Sequence, residues 1–156
     1  MNRLVKAFLF ILACEAFGNI GTIFTIQSIP TWYATLIKPS FTPPNWLFGP
    51  VWTTLFALMG VSTFLVYEGM TKRNSARTAL YAFDAQFIIN VLWSFLFFGL
   101  RSISLGLIDI LALWIAIAIT IFMFYKISKL SALLLVPYIV WVSIATLLNY
   151  YVFVLN

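Results

Sequence analysis

Residues 31–52 read TWYATLIKPSFTPPNWLFGPVW. Pro39, Pro43, Pro44 and Pro50 fall within this stretch, together with Trp32, Tyr33, Trp46 and Trp52. It lies between two long apolar segments, so it is a connection, yet it is richer in rigid and aromatic residues than a connection needs. Proline fixes its own φ and restricts the residue before it. A loop built this way has little entropy left to lose when it closes over something. We read it as a structured cap over a cavity inside a membrane helix bundle.

Composition supports that setting. Of the 156 residues, 63% are hydrophobic and only 8% are charged, and the mean hydropathy is +1.05. A soluble domain carries roughly 25% charged residues. At about 20 residues per span, the length holds five helices and leaves no separate soluble domain. The expected fold is all-α, an integral membrane bundle of five transmembrane helices, with residues 1–156 forming a single domain.

Five apolar segments carry this expectation: about Leu4 to Ile29, Trp46 to Tyr67, Thr78 to Phe98, Ser104 to Tyr125 and Ser131 to Leu155. Backbone groups cannot be satisfied by lipid, so each should be a helix, including the isoleucine-rich run from Trp114 to Phe124. Pro137 falls inside the fifth segment, where it should bend the helix. The N-terminus carries Arg3 and Lys6 before an apolar run and a poor lipoprotein-like box, Ile11-Leu12-Ala13-Cys14. The run continues to Ile29, too long for a signal peptide, so we read it as the first span.

The net charge is +5, but it does not point to nucleic acid. Arg3, Lys6, Lys72, Arg73, Arg77, Lys126 and Lys129 all fall at one set of helix ends, where anionic lipid headgroups are the natural partner. Lys38 and Arg101 fall at the other. The positive-inside rule therefore places the N-terminus in the cytoplasm, and the first loop and C-terminus outside. The sequence contains no histidine, which excludes a Ser-His-Asp triad, an HExxH zinc site and His-ligated haem. The lone Cys14 allows no intrachain disulfide and no cysteine cluster. We expect no metal site and no resident cofactor.

The distinctive polar and aromatic residues converge beneath the first loop. Counting 1.5 Å per residue, Trp52, Asn90, Trp93, Asp109, Ala145 and Asn149 fall in the loop-side half of their spans, with Trp141 near the middle. Phe48, Trp52, Phe56 and Gly60 share one helix face. Gln86, Asn90, Trp93 and Phe97 share another, and Trp141, Ala145 and Asn149 a third. Each face pairs aromatic planes with an amide or a small residue, which suits a flat, mainly apolar ligand held by a few polar contacts. Trp32, Tyr33, Trp46, Tyr67 and Tyr150 fit interfacial anchoring as well as pocket roles. Asn90 and Asn149 fit helix–helix hydrogen bonding as well as ligand contact. Glu15, Asp84 and Asp109 are carboxyls inside spans, where acids are costly and mark function by default. Asp84 is about two turns from Arg77, within reach of a pair near the interface. Asp109 suits structural hydrogen bonding. Glu15, on a face with Gly18, Asn19 and Thr22, suits either hydrogen bonding or a proton relay.

These residues resemble a known family. Trp32-Tyr33, Leu36, Lys38-Pro39-Ser40-Phe41-Thr42-Pro43-Pro44-Asn45-Trp46 and Phe48-Gly49-Pro50-Val51-Trp52 are similar to the signature of the translocator protein family, also called TspO/MBR or tryptophan-rich sensory proteins. So are Asn90 to Ser94 with Phe97-Phe98-Gly99, Asp109, Pro137 to Trp141, and Ala145 to Tyr150. The resemblance covers essentially the whole chain. It implies a homodimer of five-helix bundles, each with a cavity under the first loop. It also implies binding of porphyrins such as protoporphyrin and haem, of isoquinoline- and benzodiazepine-type drugs and, in animal mitochondria, of cholesterol. The ligand-facing positions it implies are Tyr33, Pro43, Trp52, Phe56, Asn90, Trp93, Trp141 and Ala145, to which Asp109 and Asn149 are added as site residues. The animal sterol motif ends in a basic residue, and here Tyr150 and Tyr151 are followed by none. The short tail resembles prokaryotic members, which implies a bacterial or archaeal cytoplasmic membrane, or an outer membrane as suggested for some relatives.

Three functions follow as expectations. The first is a membrane-embedded binding protein, transporter or sensor for porphyrin-like compounds. The second is light- and oxygen-dependent breakdown of protoporphyrin, ascribed to some bacterial members, with Trp52 and Trp141 as the oxidisable indoles. The third is a small proton-coupled transporter with Glu15 as its coupled acid.

Overall fold

The computed structural model describes residues 2–69 and 74–156. Lys72 and Arg73, counted above toward the charge bias, lie outside the described residues.

Five helical spans form, and all are long and apolar enough to cross a membrane: Arg3–Ser28, Asn45–Gly69, Ser75–Gly99, Ile103–Tyr125 and Lys129–Leu155. Asn2 opens the first, its side chain accepting from the Leu4 N–H. This span is not one continuous helix. α1 (Arg3–Gly18) passes through a tighter turn at Asn19–Gly21 into α2 (Thr22–Ser28). Along this stretch Asn19 Nδ2 donates to Glu15 O at 2.8 Å and to the Glu15 carboxylate at 3.3 Å. Thr22 donates to Asn19 Oδ1 at 3.2 Å, so these side chains satisfy polar groups that lipid would leave bare.

The first loop contains a short helix, α3 (Trp32–Thr35), and leads into α4 (Asn45–Gly69). Pro50 sits in the second turn of α4, and Thr54 donates its hydroxyl to the Pro50 carbonyl at 2.8 Å. α5 (Ser75–Ser94) widens into a π-helical segment at Phe95–Gly99. That span closes with Arg101 in the left-handed region, φ 53°, while the Ser102 N–H donates to Leu96 O at 3.2 Å. Ser102 then caps α6 (Ile103–Tyr125) through the Leu105 N–H. Ser128 caps α7 (Lys129–Leu134) in the same way.

The fifth span is interrupted just before Pro137, near one end. α7 stops at Leu134, and α8 (Val136–Leu155) begins with the proline in its first turn, where a missing N–H costs least.

Packing contacts place the spans around the bundle in the order first, second, fifth, fourth, third, and the third closes back on the first. The second and third also meet across the middle. Met59, Val66, Ile117, Phe124 and Val142 are fully buried or nearly so. Lipid tails are as apolar as these side chains, so close fit and hydrogen bonds hold the helices together rather than the hydrophobic effect. Gly60 provides such a fit: a Cβ there would lie 2.5 Å from the Ile11 backbone, so α1 and α4 touch through it. At the end opposite the loop, Ser62 Oγ donates to Ser131 O at 2.8 Å, and Ser131 Oγ donates back to Ser62 O at 2.9 Å. Arg3 and Glu68 form a two-pronged ion pair at that same end, each bond 2.8 Å. Among the described residues Asp84 and Arg77 form no such pair.

Candidate functional site

The space beneath the loop is walled by the first three spans. Trp52 and Phe56 of α4 stack with ring centroids 5.4 Å apart and planes at 28°. Asn90, Trp93 and Ser94 of α5 face them, with Phe98 of the π-helical segment. Gly18, Thr22, Thr25, Ile26 and Ile29 close the third side. Together these residues enclose a cavity of about 170 Å³. A much smaller space of about 30 Å³ adjoins it, lined by Tyr33, Phe97, Ala145 and Asn149, with Trp93, Phe48 and Phe98 shared between the two.

The side chains on this wall are held from behind. Trp93 lies parallel to Phe97, with centroids 5.3 Å apart at 14°, and donates its indole N–H to Asn149 Oδ1 at 3.2 Å. Asn149 donates in turn to Ile103 O at 3.2 Å, tying the third, fourth and fifth spans together. Asn90 donates to Tyr138 Oη at 3.0 Å, and Tyr138 donates to Gln86 Oε1 at 2.9 Å. Tyr138 is the largest fully buried side chain among the described residues, and losing its hydroxyl would leave two buried amides short of a partner, at a cost of about 1–3 kcal/mol.

The loop side is closed by Tyr33, which is 4% exposed and packs edge-on against Phe97 and Phe98. Lys38 Nζ lies 4.8 Å from the centre of the Tyr33 ring and donates to Tyr33 O and Leu36 O, satisfying the last carbonyls of α3. The Tyr33 hydroxyl has no hydrogen-bond partner among the described residues, and burial pushes its pKa up to about 12. It is a neutral, unused donor at the roof of the site.

The expected site residues thus divide. Trp52, Phe56, Asn90 and Trp93 line the main cavity, and Tyr33, Ala145 and Asn149 line its neighbour. Pro43 is half-buried in the loop and lines neither. Trp141 stands behind the wall: its ring meets Phe48 edge-on at 5.8 Å, and it borders an outward groove with Pro50, Val51 and Leu55. Asp109 is buried and lines neither space, and its Oδ2 has no hydrogen-bond partner among the described residues. Glu15 is held by Asn19 as described above.

Three contributors were not singled out as site residues from sequence. The first span supplies a whole side of the cavity, for which the one cue was Gly18 with Thr22 and Thr25 at helical spacing. Tyr138 begins the truly inward stripe of α8, which continues through Val142, Ala145, Asn149 and Val152. Phe98 joins Phe97 inside, both lying in the π-helical segment that widens the end of the third span.

Five apolar helices around an aromatic cavity under a proline-rich loop define an integral membrane protein with an internal, loop-capped pocket. Residues 10–155 match the TspO/MBR family, and the chain belongs to it. It is 46% identical over 154 residues to the tryptophan-rich protein TspO of Archaeoglobus fulgidus, covering 99% of both chains. It is 44% identical to the tryptophan-rich protein TspO of Chlorobaculum tepidum, covering 92% of this chain and 90% of that one. It is 38% identical to the translocator protein of Homo sapiens, covering 94% and 87%.

Proposed function

We propose that the protein binds flat, mainly apolar ligands of the porphyrin and haem type, and isoquinoline- or benzodiazepine-like compounds, in the cavity between the first three spans. The observation that carries this reading is the wall itself. Three indole or phenyl rings, those of Trp52, Phe56 and Trp93, meet the hydrogen-bonding side chains of Asn90, Thr22 and Thr25 around one enclosed space. Ligand pockets of about 300–1,000 Å³ are usual for drug-sized molecules. At about 170 Å³ the space is closed down, so a macrocycle enters only if the loop moves. With no histidine to ligate iron, recognition rests on ring contact, and metal-free protoporphyrin binds about as well as haem.

The test is a titration of purified protein followed by porphyrin absorbance. Trp52→Ala is expected to weaken binding roughly fivefold, about 1 kcal/mol. Trp141→Ala, acting only through Phe48, has a smaller effect. Unchanged affinity in Trp52→Ala would remove the reading.

A second reading, light-dependent breakdown of protoporphyrin, is favoured by the oxidisable Trp52 indole on the cavity wall. Illuminated protein should bleach protoporphyrin faster than Trp52→Phe does; equal rates would dispose of it.

A further inference from the structure

A second, larger recess lies in the half of the bundle opposite the loop. It opens between α1, α4 and α5 and measures about 520 Å³. Phe10, Cys14 and Phe17 border it from α1, Thr63 from α4, and Asp84 and Phe87 from α5. Phe17 and Phe87 meet edge-on at 5.0 Å. The Thr63 hydroxyl is already committed to Met59 O and Gly60 O, at 2.8 and 3.0 Å. Asp84 differs from these neighbours. It is exposed on the helix surface at the recess, and among the described residues its carboxyl has neither an ion pair nor a hydrogen bond.

That carboxyl lies seven residues beyond Arg77, about 10 Å further along the helix at 1.5 Å per residue. An unpaired acid at that depth in hydrocarbon is costly and calls for a partner. Among the described residues no cation pairs with it. All nine Lys and Arg residues, at 3, 6, 38, 72, 73, 77, 101, 126 and 129, fall at the ends of the spans. A second copy packed against the recess would offer no cation at this level either. A lipid amine would have to leave the headgroup layer to reach Asp84. A free amine carried on an apolar body pays no such cost: its charge meets the carboxyl, and its body lies against the phenyl rings, whose faces also attract cations.

We propose that this recess is a second ligand site, distinct from the cavity under the loop, and that it takes small hydrophobic amines, with the ammonium paired to Asp84 and the apolar part held among Phe10, Phe17 and Phe87.

The test uses the full-length protein in phosphatidylcholine nanodiscs. 4-Phenylbutylamine is titrated against the neutral 4-phenylbutanol by ligand-observed NMR. The amine is expected to bind at least tenfold more tightly than the alcohol. Asp84→Asn should abolish that preference and leave alcohol binding in place. Ala13→Phe, which fills the recess from α1, should remove both probes while protoporphyrin binding persists. Trp52→Ala should leave the amine unaffected. Equal affinity of amine and alcohol in the unaltered protein overturns the proposal, as does a preference that survives Asp84→Asn. Displacement of the amine by protoporphyrin would move it to the loop-side cavity and overturn the proposal too. Amine binding that appears only when a dimer is diluted to monomer would assign the recess to a second copy instead.

Discussion

Gly18 sets the size of the cavity from the side of the first span. A Cβ at this position would lie 2.5 Å from the tip of the Phe56 ring, so any larger residue pushes that ring toward Trp52 and into the pocket. Gly18→Ala is therefore expected to lower protoporphyrin affinity by about tenfold while leaving the five spans assembled, since overpacking of this kind costs about 1–3 kcal/mol. Equal affinity of Gly18→Ala and the parent would show that Phe56 does not bound the ligand. Tyr33 gives a second test. Burial raises its pKa from 10.0 to about 12, so the unfolded chain loses this proton first and binds fewer protons than the native state in that window. The stability it contributes is complete below about pH 10 and is lost as pH rises through about 12. The difference titration at 295 nm between the parent and Tyr33→Phe should have its midpoint near 12, and a midpoint near 10 would mean that the loop leaves Tyr33 open to water. Tyr33 was visible in the sequence as either an anchor or a pocket residue, and only its contacts with Phe97 and Phe98 decide for the interior.

At the scale of elements, the loop is held down at identifiable points. Asn156 donates to Ile37 O and accepts from the Ile37 N–H, both at 3.0 Å, so one side chain bonds both backbone groups of a loop residue. Phe41 packs edge-on against Tyr151 at 5.5 Å. These contacts tie the loop to the end of α8. Asn156→Ala is expected to speed hydrogen exchange at the Ile37 amide by roughly tenfold and to raise the association rate of protoporphyrin, because a ligand larger than the closed cavity must displace the loop. An unchanged association rate would point to entry between the helices instead. Helical spacing in the sequence identified the right spans and the right ends of them, but not every rotation. Trp141, Ala145 and Asn149 are four residues apart, and each such step drifts about 40° around a helix of 3.6 residues per turn. Trp141 therefore ends up on the flank of α8, while Tyr138 and Val142 hold the centre. The widening at Phe95–Gly99 leaves no mark in local composition and is visible only in the packing of Phe97 and Phe98 together.

For the whole molecule, the bundle order places Arg3, Lys6, Arg77, Lys126 and Lys129 at the end away from the loop. Arg3 lies 5.9 Å from the Phe64 ring centre, Lys126 lies 4.2 Å from that of Phe122, and Lys129 lies 5.8 Å from that of Tyr125. Such long side chains lay their stems along apolar surface and carry their charge outward to the headgroups. On this charge bias the loop is expected on the extracytoplasmic side. An alkaline phosphatase fusion after Asn156 should be active and the matching green fluorescent protein fusion dark; the opposite pattern would invert the protein in its membrane.

Length and hydropathy along the chain determined by themselves that there are five spans, where they begin and end, and that a rigid aromatic loop closes one end. Those properties are local, because lipid obliges every apolar stretch of that length to satisfy its own backbone as a helix. Only the tertiary structure decided that the first span walls the cavity, that Trp141 stands behind Phe48, and that Asp84 faces a recess with no partner among the described residues. Each of these depends on which helix lies beside which and on how far each is rotated, and one local widening or one small residue at a crossing is enough to change that rotation.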